Sequence, residues 1–190
     1  MELSSMIIVE RLEDIPSLPS PIALTMGTFD GVHLGHQHLL GELKKRATPV
    51  VLTFSNHPTE ILRPQATPTL IDTLQQKLRH FEKNNVALTI VLPFDSALAA
   101  LPYDTFLKKI RHYLPFSYLV LGEGSAFGQG REGHESNIFR LSQELAFEPV
   151  YLPKFTFEGE VVSSKKIREL IELGNFKQAF RLLGRLKDKE

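Results

Sequence analysis

Five short apolar runs separated by helical patterns constrain this chain more than any other feature of its sequence. They lie at residues 22–26, 50–54, 86–92, 118–121 and 149–152. Each is nearly continuous in apolar character instead of alternating with polar residues. Strands of that kind are covered on both faces, as in a parallel sheet with crossover helices. The intervening segments carry the helical period: Leu39, Leu40 and Leu43 share one face over about 35–47, and Leu74, Leu78 and Phe81 another over 70–85. Further helices are predicted at 103–113 and 136–146, and two more follow Ser164, the last built on Phe176, Ala179, Phe180 and Leu183. A short candidate strand at 7–9 precedes the main series, and a hairpin is expected through Glu158-Gly159-Glu160. The predicted architecture is an α/β fold, an open, doubly wound, Rossmann-like parallel sheet of about five strands with helices on both faces.

At 190 residues the chain suits one domain, without repeats or low-complexity tracts. Lys plus Arg and Asp plus Glu both number 22, so no basic excess points to nucleic acid or to a membrane surface. Cysteine is absent, which excludes disulfide frameworks, Cys-rich zinc sites and thiol nucleophiles. The first ten residues carry an early acid and too short an apolar run for a signal peptide, and no run approaches a membrane span. A cytoplasmic protein without nucleic-acid or membrane partners is expected.

The stretch Thr25-Met26-Gly27-Thr28-Phe29-Asp30-Gly31-Val32-His33-Leu34-Gly35-His36 joins the end of the first main strand to the next helix. Ligands of open α/β sheets bind at such an end. Gly27 and Gly31 permit close backbone approach, and a helix start offers unpaired N–H groups to an anion. His33 and His36 flank Gly35, so both rings can address one phosphate. The same two histidines with Asp30 would also suit a divalent metal, or be structural; the Gly-rich strand-to-helix turn favours phosphate. His38, about 200° from His36 around a helix, is expected to face elsewhere.

This segment resembles the FMN adenylyltransferase (FAD synthetase) module of bacterial bifunctional riboflavin kinase/FAD synthetases, within the HxGH nucleotidyltransferase superfamily. Other stretches are similar to that family in the same order: Thr53-Phe54-Ser55-Asn56-His57-Pro58, Leu121-Gly122-Glu123 through Phe127-Gly128 and Gly130-Arg131-Glu132-Gly133, Ser163-Ser164 with Ile167-Arg168, and Leu183-Gly184-Arg185. The resemblance implies a nucleotidyltransferase-type sheet and transfer of AMP from ATP onto the FMN phosphate, giving FAD and pyrophosphate. It implies His33 and His36 as catalytic, and Gly27, Thr28, Phe29, Asp30, His33, Gly35, His36, Ser163, Ser164 and Arg168 as the ATP site. Phe54, Phe106 and Phe127 are candidates for stacking on a flavin, and His57-Pro58 for touching the FMN phosphate. Arg168 could instead pair with Glu172 one helical turn on. Mg²⁺ is expected with ATP, held mostly by phosphates and not by a protein cage.

Lys165 stands where the family has a Thr, Gly124-Ser125 where it has polar and aromatic residues, and Asn56 where it has a Pro. Lys165 is positioned to reach a phosphate if it turns inward. In the family a β-barrel riboflavin kinase module follows the Leu-Gly-Arg segment, whereas here the sequence ends with residues 186–190. The expectation is a single domain over 1–190 without kinase function, either an excised module or a stand-alone enzyme, with a separate riboflavin kinase as a candidate partner. Transfer to another phosphate acceptor, and flavin or nucleotide binding with little turnover, are the alternatives.

Overall fold

The computed structural model describes residues 6–185; the flanking stretches 1–5 and 186–190, with the expected chain-end segment, lie outside the described residues. Six parallel strands form the main sheet: β1 (Ile7–Val9), β2 (Ile22–Met26), β3 (Thr48–Phe54), β4 (Leu88–Leu92), β5 (Tyr118–Gly122) and β6 (Glu148–Leu152), in the order β1-β4-β3-β2-β5-β6. The sheet therefore has one strand more than the five of the main apolar series. The addition is β1, too short to carry a pattern of its own. It pairs in register with the start of β4 (Ile7 opposite Leu88) and buries Val9, while Ile7 and Ile8 remain exposed on the sheet edge.

Alternation along each strand splits the apolar residues between two cores. Leu24, Leu52, Ile90 and Leu121 face one side, under α5 (Tyr103–Tyr113) and α6 (Glu135–Leu145), which contribute Leu107, Ile110, Ile138 and Leu141. Ala23, Val51 and Val120 face the other, under α1 (Leu34–Arg46) and α3 (Leu74–Lys83), which contribute Leu39, Leu40, Leu43 and Phe81. This explains the continuous apolar runs: the residues of the central strands meet a helix layer on either face. α3 begins at Leu74, not near residue 70, because Thr73 caps it in a reciprocal box with Gln76. Two single-turn helices, α2 (Thr59–Leu62) and α4 (Ser96–Ala99), follow β3 and β4.

The last third of the chain adds a hairpin, β7 (Thr156–Phe157) and β8 (Glu160–Val161), and the helices α7 (Ser164–Glu172) and α8 (Phe176–Leu182). Val162, Ile167, Leu170, Ala179, Leu182 and Leu183 make a third, small core, which docks on Leu34, Ile71 and Phe155. Polar ties complete the docking. Gln37 donates from one amide nitrogen to the Val32 and Leu183 carbonyls, both at 2.9 Å. Arg185 donates to both oxygens of buried Asp72 (2.8 and 2.5 Å) and to the Gly31 carbonyl at 2.6 Å. Asp72→Ala leaves that guanidinium without its anion, and a severed, largely desolvated pair costs about 3 kcal/mol. The urea denaturation midpoint should fall accordingly, with an unchanged m-value.

Candidate functional site

β2 lies at the point where the strand order reverses, with β3 on one side and β5 on the other. The crevice outside the carboxyl ends of β2, β5 and β6 is where such a sheet takes ligands. A cleft of about 220 Å³ occupies it, lined by residues 26–29 after β2, His33, Gly35, His36 and His38 of the α1 start, Gly122, Glu123 and Ser125 after β5, and residues 152–155 after β6.

The loop leaving β2 is strained. Phe29 (φ 52°) and Val32 (φ 33°) adopt left-handed backbone without being glycine, beside Gly31 at φ 84°. Each such residue costs on the order of 1–3 kcal/mol and persists only where its surroundings impose it. The surroundings here are explicit. Phe29 and Val32 are buried, and Phe29 meets Phe81 edge-on at 5.4 Å and His36 at 5.0 Å. Asp30 accepts from the Ile71 and Asp72 amides through Oδ1 (2.9 and 3.3 Å) and from Arg168 through Oδ2 at 2.7 Å. A side chain at Gly31 would press Ile71 and Leu183 within 3.2 Å, as well as straining the backbone.

His33 caps α1: its Nδ1 accepts from the His36 amide at 3.3 Å, which leaves Nε2 as the protonated donor. A Cβ at position 35 would lie 3.3 Å from the His33 ring, so Gly35 is what lets that ring fold over the helix start. The His33 and His36 rings stack at 3.7 Å, nearly parallel at 14°. Both are neutral at physiological pH. Burial lowers the His33 pKa to about 4, and burial, then His33 and Lys77, holds His36 well below the usual range. Nδ1 of His36 is buried without a hydrogen-bond partner among the described residues.

His38 corrects the sequence-based expectation. It lines the same cleft, with its ring 5.2 Å from Phe155. Angular separation on the helix placed it away from His36, but the chain leaving β6 wraps that side of α1 and extends the cleft to it. Ser163 caps α7, accepting from the Lys166 amide, and Ser164 donates to the Asp30 carbonyl at 2.8 Å. With Arg168 on Asp30, the α7 start is clamped to the β2 loop; Arg168 does not pair with Glu172. Lys165 points away: its side chain is 85% exposed, 3.9 Å from Glu169.

The candidate flavin contacts divide into two groups. Phe54, Asn56 and His57 share a small depression after β3 with Thr28, Asp30, Leu70, Asp72, Leu74 and Lys77, and Pro58 caps α2 beside it. Burial, partly offset by Asp30, lowers the His57 pKa. Phe106 is buried in the core and meets Phe127 at 6.2 Å; neither lines the cleft nor that depression. Lys77 escaped the sequence analysis. It is buried at the floor of the site, although its place on the Leu74–Phe81 face of α3 was readable from spacing. Among the described residues no group of three His, Asp or Glu could hold a metal ion.

The family model for FAD synthetase matches residues 15–166. A bifunctional riboflavin kinase/FMN adenylyltransferase of Escherichia coli (strain K12) is 32% identical over 167 residues, covering 85% of this chain and 53% of the relative. The chain thus spans about half the length of that curated relative. Among solved structures, a macrolide-efflux protein from Streptococcus pneumoniae superposes with a TM-score of 0.81 at 28% identity, over 95% of this chain and 61% of that one. A pantoate-beta-alanine ligase from Francisella tularensis, solved with beta-gamma ATP and beta-alanine, gives 0.60 at 16% identity, over 95% and 85%. At that identity the likeness concerns the fold, an α/β nucleotidyltransferase-like sheet with helices on both faces.

The histidines set an acid limit on stability. Folded His33 binds its proton only near pH 4, whereas the unfolded residue binds it near 6.5, so the unfolded state holds more protons between those values. The His33 contribution should be level above pH 6.5 and fall by about 3 kcal/mol as the pH drops to 4. Denaturant titrations across that range should show the fall in the native protein and a shallower one in His33→Gln, with His36 retaining the remainder.

Proposed function

We propose that this chain, which belongs to the FAD synthetase family, transfers AMP from ATP to the phosphate of FMN, forming FAD and pyrophosphate. The observation that carries the reading is the stacked pair of neutral histidines at the sheet's reversal point. They face a crevice whose loop is clamped to the α7 start, and the family match covers that loop and runs to the first turn of α7.

In the reaction an FMN phosphate oxygen forms a bond to the α-phosphorus of ATP as the bond to the bridging oxygen breaks and pyrophosphate leaves. The attacking group is already an anion, so no general base is required, and positioning and electrostatics carry the catalysis. His33 offers an Nε2–H to the triphosphate, and His36, whose ring stacks on it, lines the same cleft. Each such bond to a charged group contributes about 1.5–3 kcal/mol. Residues 27–29 and Gly35 supply backbone at close range. Asp30, Ser164 and Arg168 act here chiefly by holding the loop, since the Asp30 carboxylate is already satisfied by three donors. That engagement also leaves Asp30 unsuited to bind a cation. Mg²⁺ would thus be carried on the ATP phosphates, where it neutralises charge on the leaving group.

Phe54, His57 and Pro58, after β3, are the flavin-side residues we favour; Phe106 supports the core, with Phe127 packed against it. We place the protein in the cytoplasm, with FMN supplied by a riboflavin kinase activity outside these residues and no nucleic-acid partner. Among the described residues no helix is long and apolar enough to cross a membrane.

Purified protein with ATP, Mg²⁺ and FMN should yield FAD and pyrophosphate. His36→Ala should lower turnover by about one to two decades. Folded protein that leaves FMN unconsumed, or that prefers pantetheine phosphate or glycerol phosphate as acceptor, would contradict the reading.

A further inference from the structure

Lysine is seldom buried, because its ammonium must leave water. Lys77 is buried, and its three N–H donors are all used: on the Thr28 carbonyl at 3.1 Å, the Thr53 hydroxyl at 3.0 Å and the Phe54 carbonyl at 3.0 Å. Those acceptors belong to a loop and to the end of a neighbouring strand. Thr28 lies in the strained loop after β2, beside the stacked histidines, whereas Thr53 and Phe54 end β3, where His57 and Asn56 follow. Thr53 reinforces the bridge by donating to the Thr28 carbonyl at 3.3 Å. With every donor engaged, Lys77 has none left for a ligand.

We propose that Lys77 is a positioning residue whose ammonium fixes the distance between the nucleotide loop after β2 and the acceptor loop after β3. The proposal rests on the adenylyl transfer proposed above. Its consequence is that Lys77 governs the rate of transfer more than the binding of either substrate. Each substrate meets its own loop, whereas the in-line approach of one phosphate to the other depends on the two loops keeping register.

The geometry makes this register depend on charge. A neutral amine has two N–H groups and a lone pair, so it could keep both carbonyls only if the Thr53 hydroxyl turned to donate to it and gave up its own bond to the Thr28 carbonyl. Burial lowers the Lys77 pKa to about 8, against the opposing pull of Asp30 and Asp72. Asp30 reaches it from the β2 loop and Asp72 from the approach to α3, while His36 of α1 and His57 after β3 both feel its charge.

The test compares native protein, Lys77→Arg and Lys77→Met from pH 6.5 to 9.5, measuring kcat and both KM values with ATP and FMN. In the native protein kcat should fall at least about fivefold with a midpoint near 8, while each KM stays within about twofold, since misplacement of reacting groups is felt mainly in the chemical step. Lys77→Arg, charged throughout, should lack this alkaline limb. Lys77→Met should show a kcat about tenfold lower that no longer changes across the range. Apart from turnover, the amide resonances of Phe29 and Ser55, which follow the two carbonyl acceptors, should titrate together near pH 8 in native protein and not in Lys77→Arg. Absence of that shared titration, or an identical alkaline limb in Lys77→Arg, overturns the proposal, even if Lys77→Met does not fold. A shared titration in a protein that makes no FAD would instead refute the transfer reaction and leave the loop bridge standing.

Discussion

The site depends on a loop that could not hold its own shape. Phe29 and Val32 both occupy left-handed backbone, and Val32 is β-branched, the residue type least suited to it. Burying their side chains returns about 1.5–3 kcal/mol each, comparable to the strain. The carboxylate of Asp30 provides the direction that burial lacks. One oxygen gathers two successive amides from the segment before α3, and the other takes Arg168 from α7. Three segments distant in sequence thus converge on one side chain, and the helix start carrying His33 and His36 leaves the loop in a fixed direction. Asp72 repeats the device with Arg185, which also holds the Gly31 carbonyl. The small α7–α8 core therefore serves as a buttress for the loop as much as a structure in itself.

Much of this was legible in the sequence because it is local. Apolar runs without alternation announce strands covered on both faces, and the glycines and histidines of 27–36 announce a phosphate-type turn. Helices at 103–113 and 136–146 follow from period alone, and the structure places them within a residue of those bounds. β1 was legible as a candidate strand at 7–9, but three residues carry no period that would join it to the main sheet; its pairing with β4 is decided by the neighbour's free edge.

What was not legible depends on which segments meet. His38 was assigned to another face by helical angle, but the cleft wall it joins comes from the chain after β6. Lys165 occupies a family position that suggests a phosphate contact, yet on α7 it projects to solvent. Arg168 finds neither the Glu172 of its own helix nor open solvent, but an aspartate 138 residues away in sequence. Lys77 was hidden by its chemistry: a lysine on an apolar helix face reads as an interruption until three oxygens are found above it. Phe106 illustrates the converse, since an aromatic is as readily core as contact, and here the core claims it.

The charge balance of the site follows from these placements. Three of its cations are already engaged: Arg168 with Asp30, Arg185 with Asp72, and Lys77 with three backbone and hydroxyl oxygens, which leaves Lys154 as the cation of the cleft wall. The histidines next to the cleft are neutral, and their stacking at 3.7 Å makes charging both costly. A polyanion entering the crevice would therefore meet chiefly dipoles and N–H groups, with Lys154 after β6 beside them. Such groups are oriented before the ligand arrives and need no reorganisation when charge moves along the phosphate chain. The incoming anion would also favour the protonated imidazole, raising pKa values that burial has lowered. On His33 that proton would go to Nδ1 and release the His36 amide, so the cap of α1 opposes the uptake that an anion at Nε2 favours.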